Sequence, residues 1–322
     1  MSAQRMSDVA DEIVHAALEA LQADDLAQAQ ALLSSALGPF PFDPRLRVMS
    51  AMVARAQGKL QAAMDHLWRG LAAEPAHALC RAEVGFTVLA GESEAQPPAK
   101  NFSLDSGERQ TAREVAQIRA DHRARYAFAA RWLMQNLPRP ADLTGLDAFC
   151  GNGYGSRIVA DQCGARMVGL DGSAEAVNLA EECFGSHRVV FSHAVFPFSL
   201  QQDLFDFAIC FESIEHVDDP VAMLVQLAQA TRGPLVLSVP NESGLPFAQY
   251  GHRFEHHVRH FSFAQIEAML ASVGRPRITQ ALGQDVYTTS ADDLTGLLPE
   301  ARMGLTAPRP DSQFLILVAQ PA

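Results

Sequence analysis

The chain predicts an α/β fold: a doubly wound, mostly parallel Rossmann-like sheet with an antiparallel last strand, preceded by an all-α helical-repeat domain. Three observations predict it. Strand patterns at 144–149, 166–171, 188–193, 205–211 and 234–239 alternate with helical ones, as parallel strands joined by crossovers require. The end of the chain departs from this, with two late strands, Arg277 to Thr288 and Ser312 to Gln320, around a polar, helix-poor insertion. The N-terminal part carries a period: Leu26, Ala29, Ala36 and Pro41 recur as Leu60, Ala63, Gly70 and Pro75, each pair 34 residues apart.

Taken in order, the periodic segment comes first. A small residue where two helices cross and a proline just after the second helix suit an antiparallel helix pair. This spacing and pattern resemble tetratricopeptide repeats, better in the copy from Gln57 to Pro75 than in the first. A further apolar helix, His77 to Ala90, reads as a cap. So few repeats bury a continuous core only against a neighbour, so the bundle is expected to pack on the rest of the chain or on a second subunit. It is read equally as a recruiting surface for a protein partner and as a self-association or stabilising appendage. The expected division is 1–91 for the repeats, 92–106 for a linker containing Pro97-Pro98, and 107–322 for the α/β domain. A helical pattern runs from Glu108 to Leu137, and its arginines between Arg119 and Arg131 read as a solvated face.

Composition narrows the function classes. A length of 322 residues suits two domains, at ~100–200 residues each. No apolar run approaches the ~18 residues of a membrane span, and Met1 to Asp11 lacks a signal-peptide pattern. Cys80, Cys150, Cys163, Cys183 and Cys210 form no CxxC pair and read as core residues in a reducing compartment. A cytoplasmic protein without a membrane partner is expected. The net charge of −12 argues against a nucleic-acid partner, because that affinity comes from Lys and Arg neutralising phosphates.

The motif that carries chemistry is Leu146-Asp147-Ala148-Phe149-Cys150-Gly151-Asn152-Gly153-Tyr154-Gly155. A strand enters a turn with glycine at every second position, where backbone N–H groups can approach a ligand that any Cβ would obstruct. Asp147 asks for a positively charged ligand group. A second strand ends at Asp171, sixteen residues after Gly155, where a carboxylate can accept both hydroxyls of a ribose. An amino group plus a ribose on one sheet describes S-adenosylmethionine. A nicotinamide site fits less well: its third glycine would fall at Ser156, and Asp147 would repel a pyrophosphate.

From residue 120 onward the chain resembles class I S-adenosylmethionine-dependent methyltransferases, closest to the ubiquinone-biosynthesis enzymes and the small methyltransferases of glycan and natural-product pathways. The words that carry the resemblance are the glycine turn, Gly169-Leu170-Asp171-Gly172-Ser173, Phe205 to Cys210, Glu212-Ser213-Ile214-Glu215-His216-Val217, Ser238-Val239-Pro240-Asn241 and His257-Val258-Arg259-His260-Phe261-Ser262. The resemblance implies Asp147 with Gly151, Gly153 and Gly155 at the methionine end of the cofactor. Asp171 would hold the ribose with Gly172 and Ser173 beside it, His193 and Ala194 would flank the adenine, and Phe211 and Glu212 would line the transfer face. Two positions depart from the family: Phe149 stands where glycine is usual, and His193 where an acid is usual.

Methyl transfer to a hydroxyl needs alignment, exclusion of water and removal of a proton. Glu212, Glu215 and His216 follow the fourth strand, and His252, His256, His257 and His260 lie in the long loop after the fifth. Glu212, Glu215, His216 and His257 could hold Mg²⁺, Mn²⁺ or Fe²⁺. Equally, His216 or His257 could serve as a metal-free base, or the group could only shape the pocket. Phe247, Tyr250 and Phe254 suit a lid over an aromatic or sugar acceptor. The expected activity is O-methylation of a small-molecule acceptor, a sugar or glycan precursor or a phenolic metabolite. The alternatives are a metal-dependent RNA 2′-O-methyltransferase, which the Glu-x-x-Glu-His word also resembles, and a scaffold with an inactive domain.

Overall fold

The computed structural model describes residues 3–91 and 110–322. The expected linker at 92–106 and the first residues of the Glu108–Leu137 helix lie outside them, except for Gln110 onward. Five helices come first: α1 (Ala3–Gln22), α2 (Leu26–Ala36), α3 (Pro44–Ala56), α4 (Leu60–Ala73) and α5 (Ala78–Val88). The period is visible in their starts, since α2 and α4 begin 34 residues apart and so do α3 and α5. The capping positions repeat with them: Asp25 and Lys59 precede the first pair, Asp43 and His77 the second, and all but Lys59 accept a backbone N–H. Gly70 is small for a reason: a Cβ there would lie 2.7 Å from Cys80 Sγ, where α4 crosses α5.

The helix expected from Glu108 starts late. Residues 110–114 are irregular, a short 3-10 turn spans Val115–Gln117, and α6 runs over Ala120–Asn136. The sheet follows as β1 (Thr144–Ala148), α7 (Tyr154–Cys163), β2 (Arg166–Asp171), α8 (Ala174–Phe184), β3 (Val189–His193), β4 (Phe207–Phe211), α9 (Pro220–Ala230) and β5 (Leu235–Pro240). Then come α10 (Phe247–Tyr250), α11 (Phe263–Ser272), β6 (Arg277–Gln284), β7 (Tyr287–Thr289), β8 (Leu294–Leu297) and β9 (Phe314–Gln320). The order across the sheet is β3-β2-β1-β4-β5-β9-β6. Strands β1 to β5 are parallel and β9 is antiparallel to both neighbours. The polar insertion contains a β7–β8 hairpin.

One crossover is unlike the rest. Residues 194–206, between β3 and β4, contain no helix. Their apolar side chains, Phe198, Leu200, Leu204 and Phe205, pack instead with Met64, Leu67, Trp68, Val84 and Val88 of α4 and α5 in one core shared with the sheet. Backbone bonds fix the junction: Gln201 N donates to Val88 O at 2.9 Å and Ala90 N to Ser199 O at 2.8 Å. Arg81 donates to the carbonyls of Ser186 and Val189 and pairs with Glu181, while Gln61 donates to the carbonyls of Asp203 and Leu204. Of the two surfaces open to the helical bundle, it uses the sheet of its own chain. The opposite face of the sheet is covered by α6, α7 and α8. No helix among the described residues is long and apolar enough to cross a membrane, and all five cysteines are free.

Candidate active site

The carboxyl edge of the parallel strands gathers most of the residues singled out by sequence. The three glycines, alike in the sequence, differ in space. Gly151 sits at φ +57 with nothing within 4 Å of a Cβ built on it, so its turn opens onto ligand space. A Cβ at Gly153 would meet the Phe191 ring at 2.4 Å, and one at Gly155 the Tyr126 ring at 2.0 Å. Those two serve close packing of α7. Phe149 takes φ +59 and its ring joins Phe196 and Phe198 at 6.5 and 6.3 Å. A side chain in that left-handed region costs ~1–2 kcal/mol, which explains why glycine suits the position.

Asp147 is fully buried and is taken up by the protein: Ser156 Oγ donates at 2.6 Å and Tyr126 Oη at 3.2 Å. Burial pushes its pKa up to about 7 despite those bonds. Through those bonds Asp147 ties the glycine turn to α6. Asp171 accepts from Gly151 N and Ser173 N, both at 2.9 Å, which ties the glycine turn to the end of β2. Ser173 Oγ caps α8, and Ala194 N donates to Asp171 O at 3.0 Å. His193 is exposed, with Nε2 3.0 Å from Gly172 O. A carbonyl only accepts, so Nε2 is the donor and Nδ1 is left as an acceptor. Phe211 packs edge-on against Tyr126 at 4.9 Å.

Past β4 the chain enters another left-handed residue, Glu212 at φ +49. Its carboxylate accepts from Ser238 Oγ at 2.7 Å and faces Arg125 Nη1 at 3.5 Å. Burial raises its pKa while Arg125 opposes that rise. Arg125 is 1 % exposed, donates to Gln284 Oε1 at 2.6 Å and lies over the Phe314 ring. Asp121, also buried, is gripped by both ends of the Arg119 guanidinium at 2.5 and 2.7 Å. Burial alone would raise its pKa, but Arg119, His122 and Arg125 hold it well below the usual carboxylate range. The arginines between Arg119 and Arg131 expected on a solvated face thus include Arg125, buried beside Glu212, and Arg119, which grips the buried Asp121. The spacing Asp121-x-x-x-Arg125 is the signal that could have marked them, since an i, i+4 ion pair can be carried inward as a unit.

Glu215, His216 and His257 converge, each offering a ligand atom within 4.8 Å of the others. Glu212 takes the Arg125–Ser238 side instead. Glu215 is fully buried, and neither carboxylate oxygen makes a well-formed hydrogen bond; only the backbone amides of Ser213 and Glu215 lie near enough to favour its charge. Burial, then repulsion from Glu212, raises its pKa well above the usual 4.5. The loop after β5 reaches it by returning on itself: Asn241 bridges Phe261, Val258 N donates to Glu215 O at 2.9 Å, and His216 Nδ1 donates to His256 O at 3.1 Å. Phe254 stacks on His257 at 4.6 Å. Tyr250 and Gln249 bond to carbonyls of the β7–β8 hairpin, and Arg253 and His252 pair with its Asp293.

Residues 120–274, just under half of the chain, match the family described as a methyltransferase domain. A methyltransferase domain over these residues supports an enzyme. The cofactor that this domain supports is S-adenosylmethionine.

Among solved structures the chain is similar to the magnesium protoporphyrin IX methyltransferase of Synechocystis PCC 6803 with bound S-adenosylhomocysteine. The identity is 20%, with 63% of this chain and 84% of that one covered at a TM-score of 0.45. It is also similar to an S-adenosylmethionine-dependent methyltransferase of Mesorhizobium loti, at 18% identity, 61% and 99% coverage and a TM-score of 0.45. A Haloferax volcanii methyltransferase, solved in complex with a methyltransferase activator, gives 19% identity, 62% and 91% coverage and a TM-score of 0.47. No curated protein matches the sequence.

Proposed function

We propose that the enzyme transfers the methyl group of S-adenosylmethionine to a hydroxyl oxygen of a small acceptor, a sugar or glycan precursor or a phenolic metabolite. In this reading a divalent cation (Mg²⁺, Mn²⁺ or Fe²⁺) is held by Glu215, His216 and His257. The observation that carries it is Glu215: a fully buried carboxylate with no well-formed hydrogen bond on either oxygen, beside two imidazoles. A buried charge without a partner is costly, and a cation removes that cost.

The cofactor, when bound, supplies an activated methyl group on a sulfonium. Gly151 gives it backbone access, Asp171 offers its carboxylate at the ribose end, and His193 Nδ1 can accept from the adenine amine in place of the usual acid. Asp147 sets the turn through Ser156 and Tyr126. The cation, when bound, supplies a lower pKa for an acceptor hydroxyl that coordinates it. Glu212 and Arg125 neutralise one another below the transfer face, while the 241–260 loop with Phe254 excludes water above it. The small acceptor is preferred to RNA because of the net charge of −12. The α1/α2 and α3/α4 pairs read as tetratricopeptide-like repeats, and their outer faces are where a protein partner or a second copy would attach.

The test is calorimetric titration of chelator-treated protein with Mn²⁺ and with S-adenosylhomocysteine. Mn²⁺ should bind with a stoichiometry near one, Glu215→Gln should abolish that binding, and S-adenosylhomocysteine affinity should be nearly the same in both proteins. Mn²⁺ binding that is unchanged in Glu215→Gln, or absent from the wild type, would remove the cation from the reading. Failure of S-adenosylhomocysteine to bind would remove the cofactor assignment.

A further inference from the structure

A hydrogen-bonded chain of two histidines ends at the Glu215 group. His260 Nδ1 lies 2.5 Å from Leu245 O, and a carbonyl only accepts, so that nitrogen carries the proton. Neutral imidazole has a single N–H, which makes His260 Nε2 an acceptor. His257 Nδ1, 2.9 Å away, must then be the donor. The lone pair of His257 is consequently on Nε2, the only nitrogen left to face Glu215 and His216. Both rings are held: His260 is 5 % exposed, Phe254 stacks on His257 and meets His260 edge-on at 5.3 Å, and Phe247 meets His260 at 5.2 Å. Burial disfavours the charged form of each.

We infer that His260 is a positioning residue for the proposed reaction. By accepting from His257 Nδ1 it selects the tautomer that presents an acceptor nitrogen beside Glu215. In the other tautomer His257 would direct an N–H toward the buried carboxylate, satisfying Glu215 internally and spoiling the group as a cation ligand set. His216 is fixed in the same sense by a backbone carbonyl of His256. For His257 an imidazole takes the place of that carbonyl, so this half of the selection can be removed by a side-chain change. Outer partners of ligand histidines commonly carry 10–100-fold in metal affinity. The inference rests on the proposed role of His257, but the tautomer is a property of the chain alone.

The experiment uses the full chain with labelled histidine and compares wild type, His260→Leu and His260→Gln. The readouts are the tautomer of His257 from ring ¹³C and ¹⁵N shifts and the affinity for Mn²⁺. Wild type should show the Nδ1–H form. His260→Leu should move His257 toward the Nε2–H form and weaken Mn²⁺ at least tenfold. His260→Gln, whose amide oxygen can still accept, should keep the wild-type tautomer and most of the affinity. An Nε2–H form in wild type, an unchanged tautomer in folded His260→Leu, or equal damage in the glutamine variant overturns the inference. If His260→Leu does not fold, wild type and His260→Gln decide it. If Mn²⁺ binds none of the proteins, the cation reading falls and the tautomer comparison alone decides this one.

Discussion

Glu215→Gln should make the metal-free protein more stable while it loses the site. The wild-type carboxylate is fully buried, makes no well-formed hydrogen bond on either oxygen and lies beside two imidazoles. Leaving a buried polar group unsatisfied costs ~1–3 kcal/mol, more when it is charged. The amide removes the charge and brings N–H donors toward the imidazole of His257, so a gain of ~2 kcal/mol follows. At ~2–4 °C per kcal/mol this is a rise in Tm of roughly 4–8 °C. The pH dependence has a definite sign. The folded pKa of Glu215 is raised above the usual 4.5, so the folded state keeps a proton that the unfolded state gives up. Below pH 4.5 both states are protonated and the two proteins should melt together. As pH rises from 4.5 through the folded pKa the wild type loses stability relative to the variant, and the gap should be full well above it. Adding Mn²⁺ at ~100 times its Kd should return ~2.7 kcal/mol to wild type and nothing to the variant. Differential scanning fluorimetry with and without chelator, from pH 4.5 to 8, measures all of this. A metal-free variant that melts below wild type at pH 8 would refute the reasoning, because the carboxylate would then be supporting the fold.

Four further outcomes are expected. Gly151→Ala should fold with a loss of ~1–2 kcal/mol from its positive φ alone but bind S-adenosylhomocysteine at least tenfold more weakly. Gly153→Ala, whose Cβ would meet Phe191 at 2.4 Å, should instead show its main effect in thermal melting. Asp171→Ala releases Gly151 N and Ser173 N together and should weaken S-adenosylhomocysteine in calorimetry more than it lowers Tm. Deleting residues 1–91 uncovers the Phe198, Leu200 and Leu204 side chains, so the remainder should aggregate on expression; a soluble, cooperatively melting fragment would contradict the shared core.

What the sequence discloses is local, and what it conceals is three-dimensional. The strand ends at Ala148, Asp171 and Phe211 follow from apolar runs that stop at an acid or a glycine, and those runs need no tertiary information. The 34-residue period likewise appears in the helix starts because caps and crossing residues are local choices. The Tyr126–Asp147 bond was out of reach because Tyr126 approaches from α6, a helix that enters the strand's neighbourhood from 21 residues upstream. Glu212 and Glu215 look equivalent in the Glu-x-x-Glu-His word, and only the arrival of Arg125 from α6 separates them. Nothing in the spacing of residues 194–206 announces that their covering helix comes from the other end of the chain. A compositional reading expects a crossover to carry its own helix.

The missing crossover helix also sets a schedule for folding. Helices α3 to α5 leave the ribosome before any strand exists, and their apolar inner face has no partner until β3 and residues 194–206 have been made, about a hundred residues later. At ~5–20 residues per second this is a delay of seconds or more. Through that interval Trp68, Leu67 and Val84 lack the sheet that shares their core in the folded chain. Productive folding then requires closing a very long loop, the kind of step that slows topology-limited proteins. Synthesis rate and chaperone supply should therefore govern the yield of active enzyme more than its final stability does.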